Sequence, residues 1–430
     1  MDVEKRKELY SLHSLLGFLA MGKTGGNPPV SAVLTNSIGE PIEKAHTQGY
    51  GGNHAERELY SLVEQKHSVS QIQTVANSLS DTTLSVSLEP CTHFGKTPPC
   101  RDLVLQHKPK ELLLGWKDPN PMVQSGDWKL YLEQGTKVRL DPMLANTSLP
   151  YLQGFLKRMQ TGKPWVWIKS ATSTEGNYVS KSFTKERVSS IEMDLYLQLL
   201  RAKFDAVAVG PNTTKVDEPS LHFRITEEMI QSVAPCKRET ELVPFFEAAT
   251  NLFSSLCRWT KESVAIHQLE EERYQPYRVF VLDPNRMPSD DFFTKQRELN
   301  ERLGKKLCLF FLLTNSIKKK DNSFGISSQM KETLESLSHT HLISLKKEEG
   351  ELFLKTLGKL GINTLLCEAG SFFPNFLKES FTDEDCTLEI RNHKKSIPDG
   401  IPFDFIHEPI VSEFRVGSNS VFFRKTNRRG

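Results

Sequence analysis

His54-Ala55-Glu56, followed by Glu89-Pro90-Cys91 and then by Pro98-Pro99-Cys100, is the pattern that most constrains this chain. One imidazole and two thiols, far apart in sequence, form the donor set of a zinc centre whose fourth position stays open. Any fold of the chain must then bring residues 54, 91 and 100 together. Glu56, two residues after the histidine, is placed to move protons at such a centre without being a ligand.

That combination is the apparatus of hydrolytic deamination. Zinc in such a site would bring water into the ionisable range near neutrality, and Glu56 could take its proton and pass it to the departing amine. Nucleobase deaminases carry H-x-E with P-C-x-x-C. Here the second cysteine comes later, with Thr92 to Pro99 in between. A lone H-x-E would be a weak signal, common on solvated helix faces; the ordered set is a strong one.

Composition sets the outer limits. At 430 residues the chain exceeds what one core normally serves, so two domains are expected. Lys plus Arg number 55 against 53 Asp plus Glu, a balance that argues against a nucleic-acid surface. The basic runs Lys318-Lys319-Lys320 and Arg424-Lys425 to Arg428-Arg429 are short and read as solvated faces. No apolar stretch suits a membrane span, and Met1 to Lys7 has no signal-peptide core, so a soluble cytoplasmic protein is expected. Cys236, Cys257, Cys308, Cys367 and Cys386 lack ligand spacing and read as reduced thiols.

Strands and helices alternate along the chain. Val30 to Thr35, Leu84 to Leu88 and Leu112 to Gly115 read as strands, and Ala55 to Val63 and Arg101 to Gln106 as helices. The ligands therefore fall where strand ends meet helix starts, where the helix dipole favours thiolate. Asp141 to Leu149, with Pro142, Asn146 and Pro150, reads as a linker edge. Beyond it, Pro164 to Ala171, Asp205 to Gly210, Arg278 to Leu282, Leu307 to Leu313 and Asn363 to Cys367 read as strands. Ile191 to Phe204 reads as a helix with Leu195, Leu199 and Leu200 inward, and Phe245 to Trp259 as another. Strands separated by helices imply a mostly parallel sheet with ligands at the strand C-terminal ends.

The block Leu88 to Cys100 resembles that of the bifunctional riboflavin-pathway family, diaminohydroxyphosphoribosylaminopyrimidine deaminase/5-amino-6-(5-phosphoribosylamino)uracil reductase. Asn27-Pro28-Pro29-Val30, Asp118-Pro119-Asn120-Pro121 and Gly154 to Met159 agree with it, and the likeness weakens towards Gly370. The resemblance implies an α/β chain with a cytidine-deaminase-like three-layer domain over 1–148. A dihydrofolate-reductase-like domain over 149–430 follows, with an insertion at about 225–275. It implies Zn2+ on His54, Cys91 and Cys100 with Glu56 catalytic, and NADPH contacted by Thr213, Asp217 and Gly370. It places Lys169, Ser173, Arg201, Leu221, Arg224 and Glu368 against a phosphoribosyl pyrimidine substrate, in a homo-oligomer that needs neither nucleic acid nor membrane. The implied chemistry is deamination of the pyrimidine, then reduction of the ribosyl group to ribityl.

Departures concentrate in the second half. Ser173-Thr174-Glu175-Gly176 stands where relatives have Ser-Leu-Asp-Gly. Arg187 takes the place of the family's tryptophan and Lys185 that of a serine, and the usual Ala-Pro-x-x-Leu-Gly run is absent around Leu388 to Asp399. No G-x-G-x-x-G fingerprint is present, so NADPH rests on the resemblance alone. Three other readings follow: a deaminase whose second domain no longer reduces, a nucleoside or transfer-RNA deaminase, and a zinc-stabilised scaffold without activity.

Overall fold

The computed structural model describes residues 2–66, 79–95, 98–123, 126, 128–182, 187–234, 236–238, 247–258, 261–314, 325–368, 370–403 and 408–425. Lys185, Lys318 to Lys320 and Arg428-Arg429 lie outside them, as do Phe245, Trp259 and the Cys236 side chain. The chain divides into two compact units, Met1–Thr161 and Gly162–Gly430.

The first unit is built on a five-stranded sheet in the order β2-β1-β3-β4-β5. Its strands are β1 (Ser31–Thr35), β2 (Pro41–His46), β3 (Thr83–Leu88), β4 (Glu111–Trp116) and β5 (Lys137–Leu140). The β1 pairs are antiparallel, and β3-β4 and β4-β5 are parallel. Every residue of β1 is buried, because helices cover both faces. Period-two alternation sends Val33 onto Leu9 and Leu16 of α1 (Val3–Ala20), and Ala32 and Leu34 onto the cluster containing Ala55, Leu59 and Tyr60 of α2 (Ala55–Lys66). Helix α3 (Cys100–His107) adds Val104 to that cluster. The result is the three-layer arrangement expected.

His13 of α1 is fully buried and bridges two strands, its ring nitrogens 2.8 Å from Ser31 Oγ and 2.8 Å from Ser85 Oγ. Burial pushes its pKa down to about 3. The folded protein therefore keeps this ring neutral while the unfolded chain protonates it near the ordinary histidine value. Stability from this source is complete above about pH 6.5 and falls as the pH drops towards 3, by about 3 kcal/mol at pH 4.5. Denaturant melts at pH 7 and pH 4.5 should lie closer together in His13→Gln than in the parent; an unchanged gap contradicts this account.

The linker expected at Asp141 to Leu149 is instead the start of α4 (Pro142–Thr161), so the 148/149 boundary falls inside a helix and the units part at Thr161/Gly162. The turn formers have helical uses here. Asp141 accepts the backbone N–H groups of Met143 (2.9 Å) and Leu144 (3.1 Å), and Pro142 occupies the first helical position, where no N–H is needed. Pro150 sits inside the helix, and in the turn before it Ser148 Oγ and Trp116 Nε1 donate to the carbonyls of Leu144 and Ala145. Asp141→Ala should cost about 1–2 kcal/mol in a chemical melt; a change below a few tenths would show that the cap is idle.

The second unit holds a ten-stranded sheet in the order β12-β11-β10-β8-β13-β6-β14-β17-β16-β9. Its strands are β6 (Trp165–Thr172), β8 (Ala206–Val209), β9 (Cys236–Arg238), β10 (Tyr277–Leu282), β11 (Cys308–Leu313), β12 (Ile343–Leu345), β13 (Thr364–Glu368), β14 (Cys386–Asn392), β16 (Ile410–Val416) and β17 (Asn419–Lys425), while β7 (Asn177–Ser180) pairs apart with β15 (Gly400–Pro402). The seven strands from β12 to β14 run parallel, and the last three join antiparallel. Val166 and Ile168 of β6 enter the main core with Val279, Leu309 and Phe353. Trp167 points the other way, edge-on to Phe204 (5.1 Å) and Phe423 (5.4 Å).

The helix expected at Ile191 to Phe204 begins as a 3-10 turn (Ile191–Met193) and continues as α5 (Asp194–Lys203), with Leu195, Leu199 and Leu200 buried. The insertion contributes an edge strand and a sheet cover. Strand β9 pairs with β16, and Phe253 of α6 (Glu247–Arg258) packs on Phe414 (5.4 Å) and Phe423 (5.8 Å). Among the described residues no helix is long and apolar enough to cross a membrane.

Candidate functional site

The three-layer fold brings the first set of predicted residues to one point. His54 directly precedes α2, Cys91 follows β3, and Cys100 opens α3. Their ligand atoms lie within 4.8 Å of one another. His54 Nδ1 is 3.6 Å from Cys91 Sγ and 3.5 Å from Cys100 Sγ, and the Cys100 backbone N–H donates to Cys91 Sγ at 3.4 Å. Hydrogen bonding from the Cys100 thiol is the main force that holds Cys91 down at about 4, and the same contact keeps Cys100 high. The Cys91 contact raises His54. Two sulfurs and one imidazole nitrogen converging in this way fit a tetrahedral zinc site with one open position.

Glu56 points into the same place from the first turn of α2 and is only 3% exposed. Burial, reinforced by the charge of Cys91, lifts its carboxyl to about 7. All but Cys100 of these residues line a cavity of about 400 Å³, whose wall also includes Asn27, His93, Asp118, Asn120 and Arg158. Asp118 is raised to about 6, chiefly by burial.

A second buried carboxylate fixes the Glu-Pro-Cys turn. Glu89 accepts from Trp128 Nε1 (2.7 Å) and from the backbone N–H groups of Gly126 (2.9 Å) and Asp118 (3.3 Å), while its own N–H donates to the Trp116 carbonyl. This anchoring escaped sequence reasoning. An acid ahead of Pro90 looks like an ordinary turn residue until the loop that covers it is known.

In the second unit, a cavity of about 440 Å³ opens at the C-terminal ends of the parallel strands, lined by Lys169, Thr213, Asp217, Glu368 and Gly370 among others. Lys169 and Glu368 are register partners on β6 and β13, which sets their charged groups 3.9 Å apart. Arg201 of α5 reaches Glu368 with two bonds, at 2.6 and 2.9 Å. Burial opposes ionisation of Glu368, yet Arg201 and Lys169 outweigh it and hold the carboxyl at about 2. At Gly370 an added Cβ would stand 2.5 Å from the Tyr178 ring, so the backbone passes close under that aromatic.

Three predicted substrate residues sit elsewhere. Ser173 is fully buried in the turn between β6 and β7, where its hydroxyl donates to Glu175 (2.6 Å) and accepts from the Asn177 N–H (3.3 Å). Glu175 spans this turn to Ser396 Oγ (2.6 Å) and the Ile397 N–H (2.9 Å), which gives its longer side chain a definite seat. Leu221 is buried with φ of +55°, soon after Glu218 at +46°, two left-handed residues of a kind found at constrained sites. Arg224 donates to Ser220 Oγ (3.3 Å), and its charge is felt at Glu368. Arg187 lines the cavity, and Lys185 lies outside the described residues.

No family model matches the chain. Among curated proteins it is 32% identical over 212 residues to the riboflavin biosynthesis protein RibD of Bacillus amyloliquefaciens, covering 49% of this chain and 53% of that one. Against RibD of Mycobacterium tuberculosis (strain H37Rv) identity is 28% over 240 residues, 55% of this chain and 67% of the relative. In fold it matches a Thermotoga maritima diaminohydroxyphosphoribosylaminopyrimidine deaminase/5-amino-6-(5-phosphoribosylamino)uracil reductase at TM-score 0.68 and 20% identity, over 98% of this chain and 99% of the other. This chain resembles RibD proteins in sequence and shares their fold. An Acinetobacter baumannii RibD gives the same picture, with TM-score 0.69, 20% identity and coverage of 99% and 100%. The fold shared with these RibD structures thus runs the length of the chain, whereas the sequence match takes in about half of the Bacillus relative.

Proposed function

We propose that this chain carries out two steps of riboflavin biosynthesis, deaminating 2,5-diamino-6-hydroxy-4-(5-phosphoribosylamino)pyrimidine in the first unit and reducing its ribosyl group in the second. The observation that carries the reading is the convergence of His54, Cys91 and Cys100 beside a buried Glu56 in a cavity sized for a small molecule. Zinc bound there supplies Lewis acidity and brings water near it into the ionisable range. The chain's own residues do the rest. Cys91 and Cys100 donate as thiolates, His54 donates through Nδ1, and Glu56 accepts a proton from water and delivers it to the leaving amine. Walls formed by Asn27, Asp118 and Asn120 hold the pyrimidine and keep bulk solvent away.

In the second unit, Thr213, Asp217 and Gly370 would hold NADPH, whose nicotinamide supplies the hydride. All three line the same cleft at the strand ends. Lys169 and Glu368 line that cleft and would orient the sugar phosphate, with Arg201 fixed behind them by its paired bonds to Glu368.

Metal analysis of the purified protein tests the first half. One zinc per chain, lost in Cys91→Ala and in His54→Ala, is the expected result. A protein that refolds without metal and releases ammonia from the substrate would overturn it.

A further inference from the structure

Among the described residues, the cleft of the second unit takes its charge from four lining side chains, Lys169, Arg187, Asp217 and Glu368. Lys169 is committed to the interior, 13% exposed and facing Glu368 at 3.9 Å. The two carboxylates repel an anion. Arg187 differs from the others: its side chain is 53% exposed, its Nε donates to the Ser189 carbonyl (3.1 Å), and Nη2 meets Asp194 at 2.6 Å.

An exposed ion pair of this kind holds weakly and exchanges readily for a better partner. A phosphomonoester is that partner, since its dianion accepts two parallel bonds from one guanidinium. Asp194 would not be stranded, because the fields of Lys169, Arg201 and Arg224 also reach it. The same cleft offers the rings of Tyr178 and Phe372 to a planar group.

We propose that Arg187 selects phosphorylated ligands in this cleft, leaving Asp194 to pair with a phosphomonoester dianion on the bound molecule. This inference rests on the reading of the second unit as a reductase. The dianion comes either from the cofactor's ribose phosphate or from the substrate's sugar phosphate, and two ligand pairs tell these apart. Dissociation constants would be measured for NADPH against NADH by fluorescence, and for ribose 5-phosphate against ribose by calorimetry.

In Arg187→Ala, the phosphorylated member of one pair should weaken about tenfold while its unphosphorylated counterpart is unchanged. Arg187→Lys should recover part of that loss, and Asp194→Asn should tighten the same ligand. The pair that responds identifies the source of the phosphate. If Arg187→Ala lowers thermal stability but weakens both members of each pair equally, or neither, the residue is only a helix staple and the proposal falls while the reductase reading stands. If the parent protein binds none of the four ligands, the reductase reading falls and this proposal with it.

Discussion

Glu56→Gln should leave one zinc per chain in place and lower ammonia release by about a thousandfold. The glutamine keeps the shape of a side chain that is 3% exposed, so the fold and the ligand set have no reason to change. What disappears is the proton carrier. A general acid and base works best when its pKa lies near the operating pH, and burial has brought this carboxyl to about 7. Two measurements check the claim together: zinc content by elemental analysis and ammonia release under single-turnover conditions. Loss of activity with zinc retained is the expected pair of results. Retained activity would show that Glu56 is a bystander, and only a parent protein that itself releases no ammonia would favour the scaffold reading.

Arg201→Met should be the most damaging single change in the second unit, at about 3–5 kcal/mol. It leaves Glu368 inside the protein without its two-bonded partner, and Lys169 at 3.9 Å is too distant to replace those bonds. The pH dependence has a definite sign. Glu368 is held at about 2 in the folded protein, below the usual carboxyl range near 4.5. The stability this pairing contributes is complete above about pH 4.5 and drains away as the pH falls towards 2. In Arg201→Met that acid-side loss should shrink, because the orphaned carboxyl no longer resists protonation. Chemical melts at pH 7 and pH 3.5, parent against variant, measure both effects; a variant within 1 kcal/mol of the parent at pH 7 would show that the pair stabilises little.

Sequence made the elements plain wherever apolar residues repeat regularly. The strands at Ser31–Thr35, Thr83–Leu88 and Tyr277–Leu282 were legible because each is a short apolar run set between polar turns. The segment from Asp141 to Pro150 was misleading for a physical reason. Asp, Pro and Asn favour both loops and helix starts, and only Asp141's bonds to Met143 and Leu144 decide between them. The candidate ligand residues stood out because few other roles require His, Cys and Cys in that order. Ser173 shows the opposite limit: only the resemblance set it against substrate, and its hydroxyl is bonded to Glu175 and Asn177. Glu89 was hidden because its partners Trp128 and Gly126 come from a loop with no periodicity to announce it.

The central claim is that one chain both deaminates and reduces a single phosphoribosyl pyrimidine. Incubating the zinc-loaded protein with the diaminopyrimidine ribosyl phosphate and following product mass, with and without NADPH, tests it most directly. The account predicts a gain of about one mass unit without NADPH, from exchange of an amine for oxygen, and a further gain of about two when NADPH is present. A one-unit gain under both conditions would contradict the reductase half and leave the second unit as a fold without its reaction. No mass change with zinc bound would contradict the account as a whole.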